Sequence, residues 1–236
     1  MKFLKQNLFV CMALSLGLTA QAQQADIGNW SKDFSDASET LRTVGRGSCC
    51  IADGVFRSKG SYALFGTPDM SDYAFSFRAR APKDSEQVQI WAGFRTHNRF
   101  DRYVVGIKGG LQDDLYLVRT GYMGTDEFMG VRPLGFHPVP GEWYKLRVEV
   151  CGNRIRVFVG DCKLPHIDVT DKNGGKLVTT GEISLGGGWL ETEFDDLSVT
   201  PLSADAFNNV KNTEWQQRLS KKQKEEKRRN ERASYT

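Results

Sequence analysis

The chain has 236 residues, of which 39% are hydrophobic and 26% charged, with a formal net charge of +3. The excess charge sits at the ends: Lys2 and Lys5 at the start, and nine Lys/Arg against five Asp/Glu after Ser203, so the body between them is mildly acidic. That length suits one well-buried domain, an acidic body excludes the usual basic nucleic-acid surface, and no apolar run is long enough to span a membrane.

Residues 1–22 read as a secretory signal. Lys2 and Lys5 form a positive start, Leu8 to Leu18 is apolar, and Ala20-Gln21-Ala22 offers small residues at the two positions that signal peptidase reads. An apolar run of about eleven residues is too short to cross a ~30 Å hydrocarbon core as a helix. Cys11 lies inside this run rather than after the cleavage box, which argues against a lipid anchor. The expected destination is the periplasm or the extracellular space.

From Trp30 to Leu202, short runs rich in Val, Ile, Phe, Tyr and Trp alternate with clusters of Gly, Asn, Asp and Pro. This is the pattern of an antiparallel all-β sandwich. The expected strands are Cys49–Ser58, Tyr62–Phe65, Tyr73–Ala81, Gln87–Arg95, Arg102–Lys108, Asp114–Arg119, Trp143–Val150, Arg154–Val159, Gly181–Leu185 and Thr192–Thr200. In Gln87–Arg95, period-2 alternation puts Val88, Ile90, Ala92 and Phe94 on one face and Gln89, Trp91, Gly93 and Arg95 on the other. The first set suits a core. The second pairs a large aromatic with a hydrogen-bonding cation, which suits a ligand-facing sheet. Leu146, Val148 and Val150, then Gly152-Asn153, then Ile155, Val157 and Val159, spell a hairpin.

Four cysteines remain after signal removal: Cys49, Cys50, Cys151 and Cys162. An even count permits two disulfides in an exported protein. Cys49 and Cys50 are neighbours on a strand and point apart, whereas Cys151 and Cys162 flank a short hairpin and can pair if the strand ends approach. Buried free thiols are the alternative. No CxxC spacing occurs, and His97, His137 and His166 are scattered, so metal binding by cysteine is not expected. The final segment, 203–236, is highly charged and helix-prone, with Val210, Trp215 and Leu219 as its sizeable apolar residues, and reads as a solvated helix or linker.

Several landmarks fall in a telling order: Ile51-Ala-Asp-Gly-Val-Phe56, Ser71-Asp-Tyr-Ala-Phe-Ser-Phe77, Ala92-Gly-Phe-Arg95, Asp101-Arg-Tyr-Val-Val105, Gly141-Glu-Trp-Tyr-Lys-Leu-Arg-Val148, Gly152-Asn-Arg-Ile-Arg-Val157 and Phe194-Asp-Asp-Leu-Ser-Val199. As a set they resemble the concanavalin A-like, laminin-G-like jelly-roll superfamily, and in particular accessory domains of bacterial glycoside hydrolases. The resemblance covers Trp30 to Leu202, within a domain set at 23–202. It implies a two-sheet antiparallel jelly roll that binds a poly- or oligosaccharide on one sheet face. Trp91 and Arg95 would be joined there by Tyr103, Tyr116, Arg119 and Trp189. It also implies a structural calcium (Ca2+) near the last strand, held by Asp195 and Asp196 with Asp36 or Asp33 from the domain start.

Catalytic members of the superfamily carry recognisable acids. The laminarinase-like pattern E-x-D-x-x-E is approached by Glu191, Glu193 and Asp195, but Ser198 stands where a second glutamate is needed. The 3-keto-disaccharide hydrolase-like pattern is replaced by Trp91-Ala-Gly93, Tyr103-Val-Val105 and Ser184-Leu-Gly-Gly187. The expectation is therefore an exported, non-catalytic carbohydrate-binding or interaction module, the N-terminal accessory region of a glycoside hydrolase with a catalytic domain downstream. A glycan-cleaving hydrolase in its own right is the alternative.

Overall fold

The structure, a computed structural model, describes residues 27–110, 113–122, 125–172 and 177–209. The expected signal at 1–22 and the tail beyond residue 209 lie outside the described residues. Among the described residues there are thirteen strands: β1 Trp30–Lys32, β2 Arg42–Ala52, β3 Val55–Phe65, β4 Tyr73–Arg80, β5 Gln89–Asn98, β6 Asp101–Lys108, β7 Asp114–Arg119, β8 Glu127–Pro133, β9 Tyr144–Cys151, β10 Arg154–Val159, β11 Ile167–Thr170, β12 Glu182–Gly186 and β13 Thr192–Pro201. A short helix, α1, follows at Ala204–Asn209.

The strands pair antiparallel along one continuous path, β11-β10-β9-β4-β13-β3-β12-β5-β6-β7-β8, with β1 added to β13 and β2 to β3. The path folds on itself at β3. Phe56 to Ser58 pair with β13, whereas Tyr62 to Phe65 pair with β12. Between them Gly60 adopts φ +69°, a bend open to glycine, so one strand serves both walls of a sandwich. The far edges of the two walls also approach, for a Cβ on Gly130 of β8 would lie 2.8 Å from Ile167 of β11.

Side-chain alternation fills the space between the walls. Along β4, Tyr73, Phe75, Phe77 and Ala79 are buried while Ala74, Ser76, Arg78 and Arg80 face outward. Across the gap, Phe75 meets Phe94 of β5 at a centroid distance of 5.8 Å. Phe56, Phe65, Phe194 and the expected Val88, Ile90, Ala92 and Phe94 complete the core. Each buried Phe removes apolar area worth roughly 1.5–3 kcal/mol from water.

Two expectations are corrected. Cys49–Ser58 is not one strand: Asp53 (φ 54°) and Gly54 (φ 72°) turn the chain in a tight two-residue hairpin between β2 and β3. Cys151 and Cys162 do not pair, and all four cysteines are free. Cys151 adjoins the Gly152 turn and lies opposite Arg154, whereas Cys162 follows the other end of β10, where Val159 pairs with Leu146. The two thiols therefore sit at opposite ends of the hairpin. Burial pushes the Cys49 and Cys151 thiols up to about 11, so neither is a thiolate at neutral pH.

A candidate saccharide groove

The outer face of β12-β5-β6-β7-β8 is set by register. Trp91 lies beside Gly106, Gly106 beside Tyr116, and Tyr116 beside Val131. The neighbouring rows are Gln89, Lys108, Asp114 and Pro133, and Gly93, Val104, Val118 and Phe128. Gly106 is needed as glycine because any Cβ there would collide with the Tyr116 ring and the Ile90 carbonyl. Tyr116 can thus lie across β6 and meet Trp91 edge to face at 6.4 Å.

Over this face runs a groove with two compartments of about 710 and 550 Å³. They share Trp91, Thr120, Asp126 and Trp189, which makes them one continuous cleft. The first compartment adds Tyr62, Arg46, Arg99 and Arg102; the second adds Gln89, Lys108, Tyr116, Phe128 and Val131. Trp189 is 78% exposed and Phe128 68%, an unusual outlay of aromatic surface.

Trp189 is nonetheless fixed by its backbone. Its N–H and that of Leu190 both donate to Gln89 Oε1, at 2.7 and 3.1 Å. The Gly60 N–H donates to the Gly188 carbonyl at 2.7 Å, and the Gly187 N–H to the Ser61 carbonyl at 2.8 Å. Gly186 and Gly187 reach φ values near +100°, where other residues are strained, and a Cβ on Gly186 would strike Ser58 Oγ. This glycine-rich loop between β12 and β13 thus presents the indole to solvent.

Below the groove, Arg102 is 5% exposed and lies over the Tyr62 ring at 4.3 Å, donating to Ser184 Oγ at 3.0 Å. Burial works against its charge and lowers its pKa. Burial likewise raises the Tyr62 hydroxyl, with Arg102 and Arg99 opposing. Tyr116 is raised by burial too; Trp91 eases its ionisation slightly, although Trp91 Nε1 makes no well-formed hydrogen bond.

Of the six expected binding residues, the structure brings Trp91, Tyr116 and Trp189 together along the groove. The other three are placed elsewhere. Arg95 is 1% exposed, because a register break after Phe94 and a φ of +48° turn it off the Trp91 face. Its guanidinium donates to the carbonyls of Ser71, Gly152 and Val178 and pairs with Asp72. Tyr103 shares the core row with Phe94, stacking on it at 5.2 Å, and donates to Asp171 Oδ2 at 2.7 Å. Arg119 pairs with the same Asp171 and with Glu127. Sequence reading missed Arg102 and Tyr62. Arg102 alternates with Tyr103, Val105 and Ile107, so the parity of β6 already put it on the groove side.

The acids near the end of the chain belong to the other wall. Glu193 is 5% exposed and clamped between Arg57 at 2.9 Å and Arg80 at 2.6 Å. Asp195 and Asp196 both bind Arg78, while Asp33 and Asp36 fold back onto Ser35 and Ser38. These residues do not fit a calcium cage of six to eight oxygens, since Asp195 and Asp196 are paired with Arg78 and Asp33 and Asp36 bond their own serines rather than converging on one point. Among the described residues, no group of three or more His, Cys, Asp or Glu side chains is placed to hold a metal ion. No helix among the described residues is long and apolar enough to cross a membrane.

No family model matches the chain, and no curated protein matches it in sequence. Solved structures do match in shape. A Bacillus subtilis protein of unknown function with a galectin-like fold aligns at a TM-score of 0.54 and 10% identity, over 73% of this chain and 94% of that one. The GH43 protein BlXynB of Bacillus licheniformis aligns at 0.52 and 10% identity, over 73% of this chain but 39% of its own length. The exoplasmic/lumenal domain of VIP36, in its Ca2+/Man3GlcNAc-bound form, aligns at 0.50 and 13% identity, over 70% and 92%. At such identities the likeness is one of fold: the chain is an antiparallel jelly-roll-type β-sandwich.

Proposed function

We propose that this protein is an exported, non-catalytic saccharide-binding module of the concanavalin A-like, laminin-G-like type that serves as an accessory region of a glycoside hydrolase. The observation that carries the reading is Trp189, mostly exposed on a backbone anchored to Gln89, beside Trp91 in an open groove. Aromatic faces stack on the C–H faces of sugar rings, while Gln89, Asp126 and Lys108 offer hydrogen bonds to hydroxyls. The VIP36 domain, similar in fold, is seen with a bound oligosaccharide. Against catalysis stands Glu193, whose two arginine partners leave it no access to a glycosidic bond. The charged stretch after Ser203 would act as the linker, and a hydrolase domain encoded in frame beyond Thr236 is the expected finding on that point.

Affinity electrophoresis and pull-down on a panel of insoluble and soluble polysaccharides test the binding. Wild-type protein is expected to be retained by at least one glycan. Trp189→Ala and Trp91→Ala should weaken retention roughly ten-fold or more, in line with the loss of an aromatic anchor. Retention unchanged in both variants would remove this groove as the site, and release of reducing sugar abolished by Glu193→Gln would favour the hydrolase reading.

A further inference from the structure

Among the thirteen described arginines, nine, Arg42, Arg57, Arg78, Arg80, Arg95, Arg119, Arg147, Arg154 and Arg156, stand within ion-pair distance of a carboxylate. Arg46, Arg99, Arg102 and Arg132 do not, and the first three line one compartment of the groove. Arg102 is the most telling. A cation that is only 5% exposed costs several kcal/mol of lost hydration unless an anion or a full set of acceptors compensates it. Its compensation is one hydroxyl, Ser184 Oγ, the face of Tyr62 and the longer-range attraction of Asp126, which the like charge of Arg99 opposes. Its Nε, the Tyr62 hydroxyl and Trp91 Nε1 are all buried without a hydrogen-bond partner. Asp126 also lines this compartment, but it accepts the Gly121 N–H at 2.9 Å and stays outside ion-pair distance of Arg102.

From this we infer that the groove takes an anionic saccharide, its carboxylate or sulfate seated in the Arg46, Arg99 and Arg102 compartment and a neighbouring ring stacked on Trp91 and Trp189. The inference rests on the saccharide-binding reading and adds the substrate class. Geometry supports the division of labour. The cationic compartment and the aromatic one share Trp91 and Trp189, so one oligosaccharide spans both. Arg99 lies over the Phe100 ring at 4.5 Å and Arg46 projects from the exposed part of β2, so two exposed cations flank one that is fixed. An arriving anion gains charge-assisted hydrogen bonds without displacing any existing ion pair.

The test is calorimetric titration of the full chain with matched probes: oligogalacturonate against its methyl ester, and a sulfated carrageenan oligosaccharide against its desulfated form. A glycan array of neutral, uronate-bearing and sulfated polysaccharides precedes it. At least one charged probe should bind roughly ten-fold tighter than its neutral partner, with the preference shrinking between low and high salt as exposed charges are screened. The two arms separate carboxylate from sulfate. Arg102→Gln should abolish the preference. Because that side chain is packed, the exposed double variant Arg46→Gln, Arg99→Gln serves beside it, and should cut the preference several-fold. Equal binding of charged and neutral probes, or a preference untouched by the double variant, overturns the anionic inference and leaves the saccharide module standing. Failure of every glycan on the array to bind overturns the module itself.

Discussion

Arg95 shows how a residue with the right chemistry for a ligand is used for structure. Its guanidinium collects carbonyls from the segment before β4, the β9–β10 turn and the stretch before β12, and its backbone N–H donates to the Tyr73 hydroxyl at 3.1 Å. One side chain thereby joins three segments distant in sequence. Arg95→Met should lower stability by about 3–5 kcal/mol, because several buried carbonyls lose their donor together. Urea unfolding followed by tryptophan fluorescence reads this directly, and a loss under about 1 kcal/mol would deny the role. The sequence showed Trp91 and Arg95 four residues apart on one strand, and strict alternation put them on one face. Only the positive φ at Arg95, stabilised by partners from elsewhere, breaks the alternation. Tyr103 was a different kind of miss. Its neighbours Val105 and Ile107 already marked its face as core, and Arg102 as the outward residue.

At the scale of elements, the groove face depends on two glycine devices. Gly93 and Gly106 leave a floor without Cβ atoms, into which Ser184, Arg102 and the Tyr116 ring settle. Gly186 and Gly187 turn the chain out of β12 into the loop that carries Trp189. Gly186→Ala meets both a backbone strained for an L-residue and a collision with Ser58, so a destabilisation of about 1–3 kcal/mol is expected. Saccharide affinity should fall with it, through displacement of Trp189 rather than loss of any contact of its own. An alanine variant with wild-type melting temperature and affinity would show that this glycine is not needed. The glycine run was plain in the sequence, and so was the exposed tryptophan within it. The strands β1, β8 and β11 were not, being short or mixed in pattern, and they owe their form to pairing with β13, β7 and β10. In α1, Phe207 is buried against the Arg156 guanidinium at 4.0 Å, so the charged tail begins with an anchor on the outer face of β10.

At the scale of the whole molecule, buried tyrosines set an alkaline limit. Burial pushes Tyr73 up to about 12 from an ordinary value of 10, and raises Tyr103 and Tyr116 as well. The unfolded chain therefore loses these protons first. Between pH 10 and 12 the unfolded state binds fewer protons than the folded one, so stability is intact below about pH 10 and falls above it. Tyr73 alone accounts for about 2–3 kcal/mol of that loss, because each tenfold change in an ionisation constant is worth roughly 1.4 kcal/mol. Urea midpoints at pH 8 and pH 11, with tyrosinate absorbance as the monitor, check it. Equal midpoints at the two pH values would contradict the burial.

Composition and period-2 alternation alone determined that this chain is an antiparallel β-sandwich, where most of its strands lie, and which side of β5 holds Trp91. Those properties depend on each residue's own chirality and hydrophobicity, which short stretches of sequence carry in full. Tertiary structure decided which cations are paired with carboxylates and which are not. Glu193 meets arginines of β3 and β4, Asp171 meets Arg119 of β7, and Arg102 meets none, because ion pairing depends on which distant strands lie side by side. Strand order and one bulge fix those distances, and no local pattern encodes them.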